Sequence, residues 1–264
     1  MSSEDDFFLP KKEIAKIDRE LQRVIGRIGV DRKTLDEVFD KSTLHTLEKL
    51  ISDRVIDYLD FPISTGKEGN VFLGVTPEET KVAVKIYRIS TSTFKHMTQY
   101  IIGDPRFKSF HKTRRDIAYA WTSKEFKNLE LLEAIGVPAP RPIAKLNNVL
   151  VMEYIGSEEK PAPMMKDVKL SNPEKVFQII INSILKMYRD AELVHSDLSP
   201  FNVLIHEDEP YLIDLGQGVL LDHPYAYEFL KRDIYNIVTY FRRYYGIMED
   251  AEEIYNRILG ERRR

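Results

Sequence analysis

The sequence predicts a two-lobed α+β fold in which a β-rich lobe with one helix precedes a reduced helical lobe. Residues 61–73 and 81–87 are rich in Val, Ile and Phe and are bounded by Gly and Pro, a pattern typical of strands. Apolar residues recur at helical spacing in residues 118–134 and again from residue 173 onward. Between the strands and the first of these helices, the polar and basic residues 90–115 predict a mobile loop containing one helix.

Helices are also predicted before the first strand, at residues 13–24 and 44–59. The second has its apolar stripe at Leu44, Leu47, Ile51, Val55 and Leu59. The composition changes after this helix and again at residues 151–163, where the lobes are expected to join. We therefore divide the chain into an N-terminal helical extension at 1–60, a β-rich lobe at 61–154 and a helical lobe at 155–264.

The remaining elements follow from caps and short apolar runs. The helix at 118–134 is expected to stop at Gly136, which is followed by three prolines. Asn172-Pro173 predicts the start of a long helix, with Asn as the cap and Pro in the first turn. Its inner stripe is Val176, Ile180, Ile184 and Met187. Short strands are predicted at 149–155, 203–206 and 211–215, and helices at 225–245 and 249–259.

Composition excludes several classes of protein. The 264 residues include 43% hydrophobic residues and no Cys, which excludes a disordered chain, a disulfide scaffold and thiol chemistry. The 39 basic residues against 42 acidic ones do not indicate a DNA-binding protein. No apolar run reaches the roughly 18 residues of a membrane span, and the acidic start is unlike a secretory signal. We expect a cytoplasmic protein with no membrane association.

The strongest chemical signal is the segment His195-Ser-Asp-Leu-Ser-Pro-Phe-Asn202, followed by Asp214 at the end of an apolar run. Mg²⁺ prefers oxygen ligands and needs few from the protein when a nucleotide supplies others, so Asn202 and Asp214 are candidate metal ligands. Asp197 is then available to accept a proton from an attacking hydroxyl. A single such Asp is more often part of a polar turn, but the combined pattern is far rarer by chance.

Lys85 lies in the apolar strand run Val82-Ala-Val-Lys85-Ile, where an unpaired ammonium would be costly to bury. It either points to solvent from an edge strand or binds nucleotide phosphates while paired with a carboxylate. The helix at 121–134 offers Glu125 as the first choice of partner and Glu130 as the second.

Two further segments fit a nucleotide site. Ser64-Thr-Gly66-Lys67-Glu68-Gly69-Asn-Val71 has two glycines that allow backbone amides to approach phosphate, although most such pairs are simple turns. It is not a Walker A loop, because no G-K-[ST] leads into a helix. The segment Val149-Leu-Val-Met152-Glu-Tyr-Ile155 is a core strand whose exit could present the Glu153 carbonyl and the Ile155 amide to adenine.

Taken in order, these segments resemble the protein-kinase fold and, more narrowly, the RIO family of atypical serine/threonine kinases. The resemblance rests on the 64–71 loop, on the 195–202 loop, on Ile213-Asp-Leu-Gly-Gln-Gly218 and on the residues from Asp222-His-Pro to Asp233. The S-T-G-K-E loop is similar to the type-one branch, and the short length is typical of archaeal members.

The resemblance implies an ATP site between the lobes, with Mg²⁺, or Mn²⁺ as an alternative, held by Asn202 and Asp214. The catalytic residues would be Asp197, Asp214, Lys85 and Glu125. The implied nucleotide contacts are Ser64, Gly66, Lys67, Glu68, Gly69, Val71, Ala83, Lys85, Met152, Glu153, Ile155, Asn202, Ile213 and Asp214. The family further implies ATPase activity with an aspartyl-phosphate on Asp214, and a precursor of the small ribosomal subunit as partner.

The sequence departs from ordinary protein kinases in its control and docking segments. Ser196 stands where the catalytic loop usually has an Arg that binds a phosphorylated activation segment, and Leu215 replaces the Phe of D-F-G. Only 19 positions separate Asp214 from Asp233, and no A-P-E motif follows. We therefore expect ATP hydrolysis, autophosphorylation or action on a large docked partner rather than efficient phosphorylation of extended peptides.

Two other functions fit the same residues. One is a small-molecule kinase of the aminoglycoside or choline type, for which a larger helical insert would be expected. The other is a non-catalytic module gated by nucleotide, which would not need the complete set of catalytic residues. The basic loop of residues 95–115 is expected either to touch ribosomal RNA or to be a solvated loop, and we expect autophosphorylation on one of its Ser or Thr residues.

Overall fold

The structure is a computed structural model that describes residues 39–89, 94–102, 104–107, 113–158 and 160–261. The predicted helix at 13–24 lies outside these residues, and so does the centre of the basic loop with Lys108 and Lys112. Within the described part of the chain, no helix is long and apolar enough to cross a bilayer.

A five-stranded antiparallel sheet forms the first lobe, in the spatial order β1-β2-β3-β5-β4. The strands are β1 Tyr58–Thr65, β2 Gly69–Val75, β3 Lys81–Tyr87, β4 Pro142–Leu146 and β5 Val149–Glu153. The predicted strand at 81–87 is confirmed, whereas the region of the single strand predicted at 61–73 holds two strands, β1 and β2, separated by residues 66–68, which we call the glycine loop. In the register of the central strands, Lys85 of β3 lies between Val71 on β2 and Leu150 on β5.

The first described helix, α1 (Lys41–Ser52), covers one face of this sheet. The prediction of a helix through residue 59 was wrong. The chain leaves the helix after Ser52, Arg54 takes a left-handed conformation with φ 60°, and Leu59 is buried as part of β1. The predicted stripe was also shifted, because Ile51 is exposed while α1 buries Thr43, Thr46, Leu47 and Leu50.

The other face of the sheet packs on helix α3 (Arg114–Ala134), which contacts both lobes. Helix α2 (Phe94–Ile101) is the predicted helix of the 90–115 segment. The side chain of Thr113 caps α3 by accepting from the Asp116 amide at 3.2 Å. Its end is as predicted, because Gly136 adopts the left-handed conformation (φ 63°) that ends the helix without a Cβ penalty.

The second lobe is built on α4 (Pro173–Asp190) and α5 (Ala226–Tyr245), with α6 (Ala251–Gly260) packed against both. The start of α4 is confirmed, since the Asn172 side chain accepts from the Lys175 amide at 3.0 Å. All four residues of its predicted inner stripe are buried. The loop between α4 and α5 contains two small sheets, β7 (Val203–His206) with β8 (Glu209–Leu212), and β6 (Leu193–Val194) with β9 (Val219–Leu220).

The short strands place the polar loops at the face that meets the first lobe. Residues 195–202 lie between β6 and β7, and Asp214 lies just after β8. A single 3₁₀ turn, Leu215–Gln217, follows Asp214 and packs on α3. One hydrophobic core runs from the inner face of the sheet through α3 into the second lobe, so the two lobes share it. The domain boundaries at residues 60 and 154 stay a prediction.

Candidate active site

Lys85, Glu125 and Asp214 meet between the lobes. The Lys85 ammonium Nζ lies 2.8 Å from Glu125 Oε1 and 3.0 Å from Asp214 Oδ1. Strand β3 supplies the lysine, α3 supplies the glutamate, and the turn after β8 supplies the aspartate. Lys85 therefore does not point to solvent. Its partner is Glu125, whereas the second choice, Glu130, is exposed on the same helix.

The charges at this junction depend on one another. Burial opposes the charge of Lys85, but Asp214 and Glu125 outweigh that effect and hold its pKa above the usual range. Burial opposes ionisation of Asp214 too, but Lys85 lowers its pKa below the ordinary value. Burial raises the pKa of Glu125 to about 7, against the attraction of Lys85. The ammonium thus stays charged between two carboxylates.

Asp197 is held by two amide side chains. Asn202 Nδ2 donates to the Asp197 carbonyl at 2.8 Å and to Asp197 Oδ2 at 3.1 Å. Gln217 Nε2, from the turn after Asp214, donates to the same Oδ2 at 3.2 Å. These bonds orient the carboxylate, and the Asn202 amide faces Asp197 through its nitrogen rather than its oxygen.

Asp233 anchors the loop that carries Asp197. Its carboxylate is buried and accepts from the Ser196 amide at 2.8 Å and from the Leu198 amide at 2.9 Å. Arg232 donates to the Ser196 carbonyl, and Asn236 donates to the Leu198 carbonyl at 3.1 Å. Helix α5 thereby fixes the backbone on both sides of Asp197.

His195 joins this loop to the strand run before Asp214. Its Nε2 lies 3.0 Å from the Ile213 carbonyl, and burial lowers the pKa of the imidazole to about 4. The ring is therefore neutral at physiological pH, and because a carbonyl only accepts, Nε2 carries the proton. Ser196 and Asp214 both have positive φ, 69° and 64°, which are unfavourable conformations for residues with a Cβ and often occur at functional sites.

The glycine loop closes above these residues. The Gly66 amide donates to the Gly69 carbonyl at 2.9 Å, while Ser64, Gly66 and Lys67 are exposed. A Cβ at Gly69 would collide with the Ile86 carbonyl, so only glycine fits there. Glu68 faces the cleft, and its burial together with the charge of Asp214 raises its pKa to about 7.

The predicted adenine contacts lie where β5 leaves the sheet. Ala83 and Met152 are paired across β3 and β5, and both are buried. The Glu153 amide donates to the Arg141 carbonyl at 2.8 Å, and the Ile155 carbonyl accepts from Ala162 at 3.0 Å. These bonds fix the backbone of the segment that leads from the first lobe into the second.

Comparison with known proteins assigns the chain to a family. The RIO domain profile matches residues 70–254, which include the four predicted catalytic residues and most of the nucleotide contacts. The chain belongs to the RIO family. Its relatives include the RIO-type serine/threonine-protein kinase Rio1 of Haloferax volcanii, which is 42% identical over 87% of this chain and 78% of that protein.

Other relatives agree with this assignment. Rio1 of Methanocaldococcus jannaschii is 42% identical over 89% of this chain and 82% of its own length. The human serine/threonine-protein kinase RIO1 is 37% identical over 85% of this chain but only 40% of its own length. This RIO protein is thus an atypical serine/threonine-protein kinase of the type-one branch, similar to archaeal members, as the sequence predicted. The assignment favours the kinase function over the small-molecule kinase and the non-catalytic module.

Solved structures agree on the fold. The Rio2 kinase from Chaetomium thermophilum superposes with a TM-score of 0.63 and 20% identity, covering 96% of this chain and 81% of that one. A second structure, the Rio2 kinase-ADP/Mg²⁺-phosphoaspartate complex from Chaetomium thermophilum, gives a TM-score of 0.62 at 19% identity and covers 92% and 75% of the two chains. The bilobal kinase-like α+β architecture predicted from the sequence is confirmed.

Three polar residues of the RIO site were missed in the sequence. Lys124 and Asn128 lie on the inner stripe of α3 and contact the backbone after Asp214, and Gln217 contacts Asp197. A signal existed for the first two. Both fall at helical spacing with the buried residues Trp121 and Leu132, so they are polar residues on an apolar stripe.

Proposed function

We propose that this RIO kinase transfers the γ-phosphoryl group of ATP to a serine or threonine hydroxyl with the help of Mg²⁺. The observation that carries the proposal is the convergence of Lys85 on Glu125 and Asp214, next to an Asp197 that two amides orient. Phosphoryl transfer depends mainly on positioning and on charge stabilisation, and these residues supply both. The proposed nucleotide contacts are those predicted from the sequence.

The donor set fits a magnesium ion. Asn202 directs its amide nitrogen at Asp197, so its carbonyl oxygen Oδ1 is the atom suited to a cation. The Asp214 carboxylate is 37% exposed toward the cleft and offers a second, charged oxygen ligand. Mg²⁺ favours such ligands and, when bound, would neutralise charge on the phosphates. Asn202 and Asp214 would hold the ion, and Mn²⁺ accepts the same ligands.

The protein residues then have distinct tasks. Lys85 would bind the α- and β-phosphates with its ammonium, which its two carboxylate partners keep charged. Glu125 would hold Lys85 in place from α3. Asp197 would accept the proton of the attacking hydroxyl, and the two amides bonded to it orient its carboxylate for that transfer.

We further propose ATPase activity through an aspartyl-phosphate. A carboxylate oxygen of Asp214 would attack the γ-phosphorus and ADP would leave; water, giving a proton to Asp197, would then attack the acyl phosphate, release inorganic phosphate and regenerate the carboxylate. The Rio2 kinase of Chaetomium thermophilum has been solved as an ADP/Mg²⁺-phosphoaspartate complex, which supports the idea by analogy. We propose a precursor of the small ribosomal subunit as the cytoplasmic partner, and autophosphorylation on a Ser or Thr of residues 95–115.

The test is ATP turnover by purified protein, with and without small-subunit precursors. We expect Asp197→Asn, which removes the proposed base, and Asp214→Asn, which removes a charged metal ligand, each to lower turnover by about 100-fold or more. The exposed Asp53, paired with Lys49 on α1, provides the control Asp53→Asn, which should match the parent. If both site variants also match the parent, the assignment is wrong.

Two further measurements separate the parts of the proposal. Glu125→Gln should reduce turnover by about 10-fold or more, whereas Glu130→Gln on the exposed face of α3 should not. Hydroxylamine cleaves an acyl phosphate but leaves phosphoserine and phosphothreonine intact. A labelled protein that resists hydroxylamine would contradict the aspartyl-phosphate and leave the kinase activity standing.

A further inference from the structure

Two buried polar side chains of α3 hold the turn that follows Asp214, at residues 215–218. Lys124 Nζ donates to the Gly216 carbonyl at 3.1 Å and to the Gly218 carbonyl. Asn128 Nδ2 donates to the Leu215 carbonyl at 2.8 Å and to the Gly218 carbonyl at 3.1 Å. Three carbonyls of one turn in the second lobe are thus bonded to a helix that packs on the sheet of the first.

Stability alone does not account for Lys124. The side chain is completely buried, and that burial lowers the pKa of its ammonium to about 7 against the attraction of Asp104. The Asp104 carboxylate is itself bonded to Arg106 at 2.7 and 2.9 Å. Buried charges are costly, and an apolar side chain of similar volume often serves a core equally well or better.

The turn lies flat against α3. A Cβ at Gly216 would come within 2.6 Å of Trp121 Nε1, and a Cβ at Gly218 would come within 2.8 Å of Asn128 Nδ2. Leu215, between Asp214 and the first of these glycines, is completely buried. Because Gly216 and Gly218 have no Cβ, the backbone of the turn can come this close to α3. At this distance its carbonyls are within hydrogen-bonding reach of Lys124 and Asn128.

The 215–218 turn connects the two proposed catalytic aspartates. Asp214 directly precedes it and lies 3.0 Å from Lys85. Gln217, within the turn, donates to Asp197 Oδ2 at 3.2 Å. Glu125, the partner of Lys85, is the next residue after Lys124 on α3. A displacement of the turn would therefore move Asp214 relative to Lys85 and remove a bond from Asp197.

We infer that Lys124, together with Asn128, is a positioning residue that locks the 215–218 turn against α3 and thereby sets Asp214 and Asp197 in their working geometry. The inference rests on the proposed function of those two aspartates. In ordinary protein kinases a phosphorylated activation segment helps to order the site. Here hydrogen bonds from α3 order the 215–218 turn, and they require no phosphorylation.

The variant Lys124→Met keeps the length and volume of the side chain and removes its hydrogen bonds. We expect kcat for ATP turnover to fall by about 10- to 100-fold, because small displacements of reacting groups have effects of that order. The KM for ATP should rise by a smaller factor than kcat falls, since the Lys85–Glu125 pair and the glycine loop keep their places and only Asp214 among the proposed nucleotide contacts adjoins the turn. Lys186 donates to the Gly136 carbonyl at 3.2 Å on the surface, so Lys186→Met is the matched control and should match the parent.

A double-mutant cycle tests the route to Asp197. If Lys124 acts through the turn, Lys124→Met combined with Gln217→Ala should be little slower than the slower single variant. If the fold-losses in kcat of the two single variants multiply in the double variant, the proposed route through the turn is wrong. Should Lys124→Met fail to give a cooperative melt, Asn128→Ala is used in the same cycle, with the same expected split between kcat and KM.

The outcomes separate this inference from the proposed function. A Lys124→Met variant with the kcat of the parent, or one whose KM rises by the same factor as kcat falls, would overturn the positioning role. If Asp197→Asn is inactive in the same assay, the proposed function survives that result. If Asp197→Asn turns over ATP like the parent, the proposed function itself fails.

Discussion

Replacing Asp233 with asparagine should destabilise the protein because one buried carboxylate accepts from two backbone amides of the loop that carries Asp197. The two oxygens accept from the amides of Ser196 and Leu198 at 2.8 and 2.9 Å, and the side chain is 1% exposed. A side-chain amide in place of this carboxylate would offer one acceptor oxygen and one N–H₂ group, so one backbone amide would face a donor. The variant Asp233→Asn therefore loses one charge-assisted bond and leaves a buried donor without an acceptor.

The magnitude follows from these two losses. A hydrogen bond to a charged group contributes about 1.5–3 kcal/mol, and an unsatisfied buried donor costs about 1–3 kcal/mol. We expect the free energy of unfolding to fall by about 2.5–6 kcal/mol. For a chain of this size each kcal/mol corresponds to roughly 2–4 °C in Tm, so the melting temperature should fall by about 5–24 °C.

The assay is calorimetric unfolding of the parent, of Asp233→Asn and of a surface control. Asp208→Asn serves as the control, because Asp208 bonds only to the exposed Ser171 among the contacts described for it and lies in the second lobe too. The control should melt within about 1 °C of the parent. A melting temperature of Asp233→Asn that is also within about 1 °C of the parent would refute the anchoring role.

Three further outcomes are expected. Gly69→Ala should destabilise the protein by about 1–3 kcal/mol and raise the KM for ATP, because the new Cβ would collide with the Ile86 carbonyl. Gly66→Ala should destabilise it less, because the nearest atom to its new Cβ would be 3.3 Å away. Asn148→Ala should cost about 1–3 kcal/mol in urea unfolding without changing kcat, since it breaks buried bonds to Thr43 and Tyr87 that join α1 to the sheet. The free energy of unfolding of the parent should depend more strongly on pH below 6.5 than that of His195→Gln. Histidine in the unfolded chain takes up a proton near pH 6.5, whereas the buried His195 ring has a pKa of about 4. The parent should therefore lose up to about 3 kcal/mol more than the variant as pH falls across that interval.

The sequence predicted most of the second lobe because its signals are local. Helix α4 combines an Asn cap, a Pro in the first turn and four apolar residues at helical spacing, and all of these appear in the structure. The end of α1 could not be predicted in the same way. Leu59 continues the helical spacing but is buried by β1 against the sheet, so tertiary packing overrides the period.

The meeting of Lys85, Glu125 and Asp214 was predictable because the spacing of these proposed catalytic residues along the chain is itself a motif. Lys124 and Asn128 were missed for a physical reason. Their partners are backbone carbonyls about 90 positions away in sequence, and any residue type supplies a carbonyl. The only sequence signal is on the helix side, where polar residues interrupt an apolar stripe.

The segment between Asp214 and Asp233 holds few elements of secondary structure. The chain passes from Asp214 through one 3₁₀ turn to β9, which pairs with β6, and α5 begins at Ala226. Only residues 221–225 lie between β9 and α5, so this path holds no further helix or strand. The geometry near Asp197 is instead fixed from within, by α3 through the 215–218 turn and by α5 through Asp233. On the proposed function, we expect the acceptor hydroxyl to be positioned by a large docked partner, so phosphorylation of a short peptide should be slow even when ATP turnover is intact.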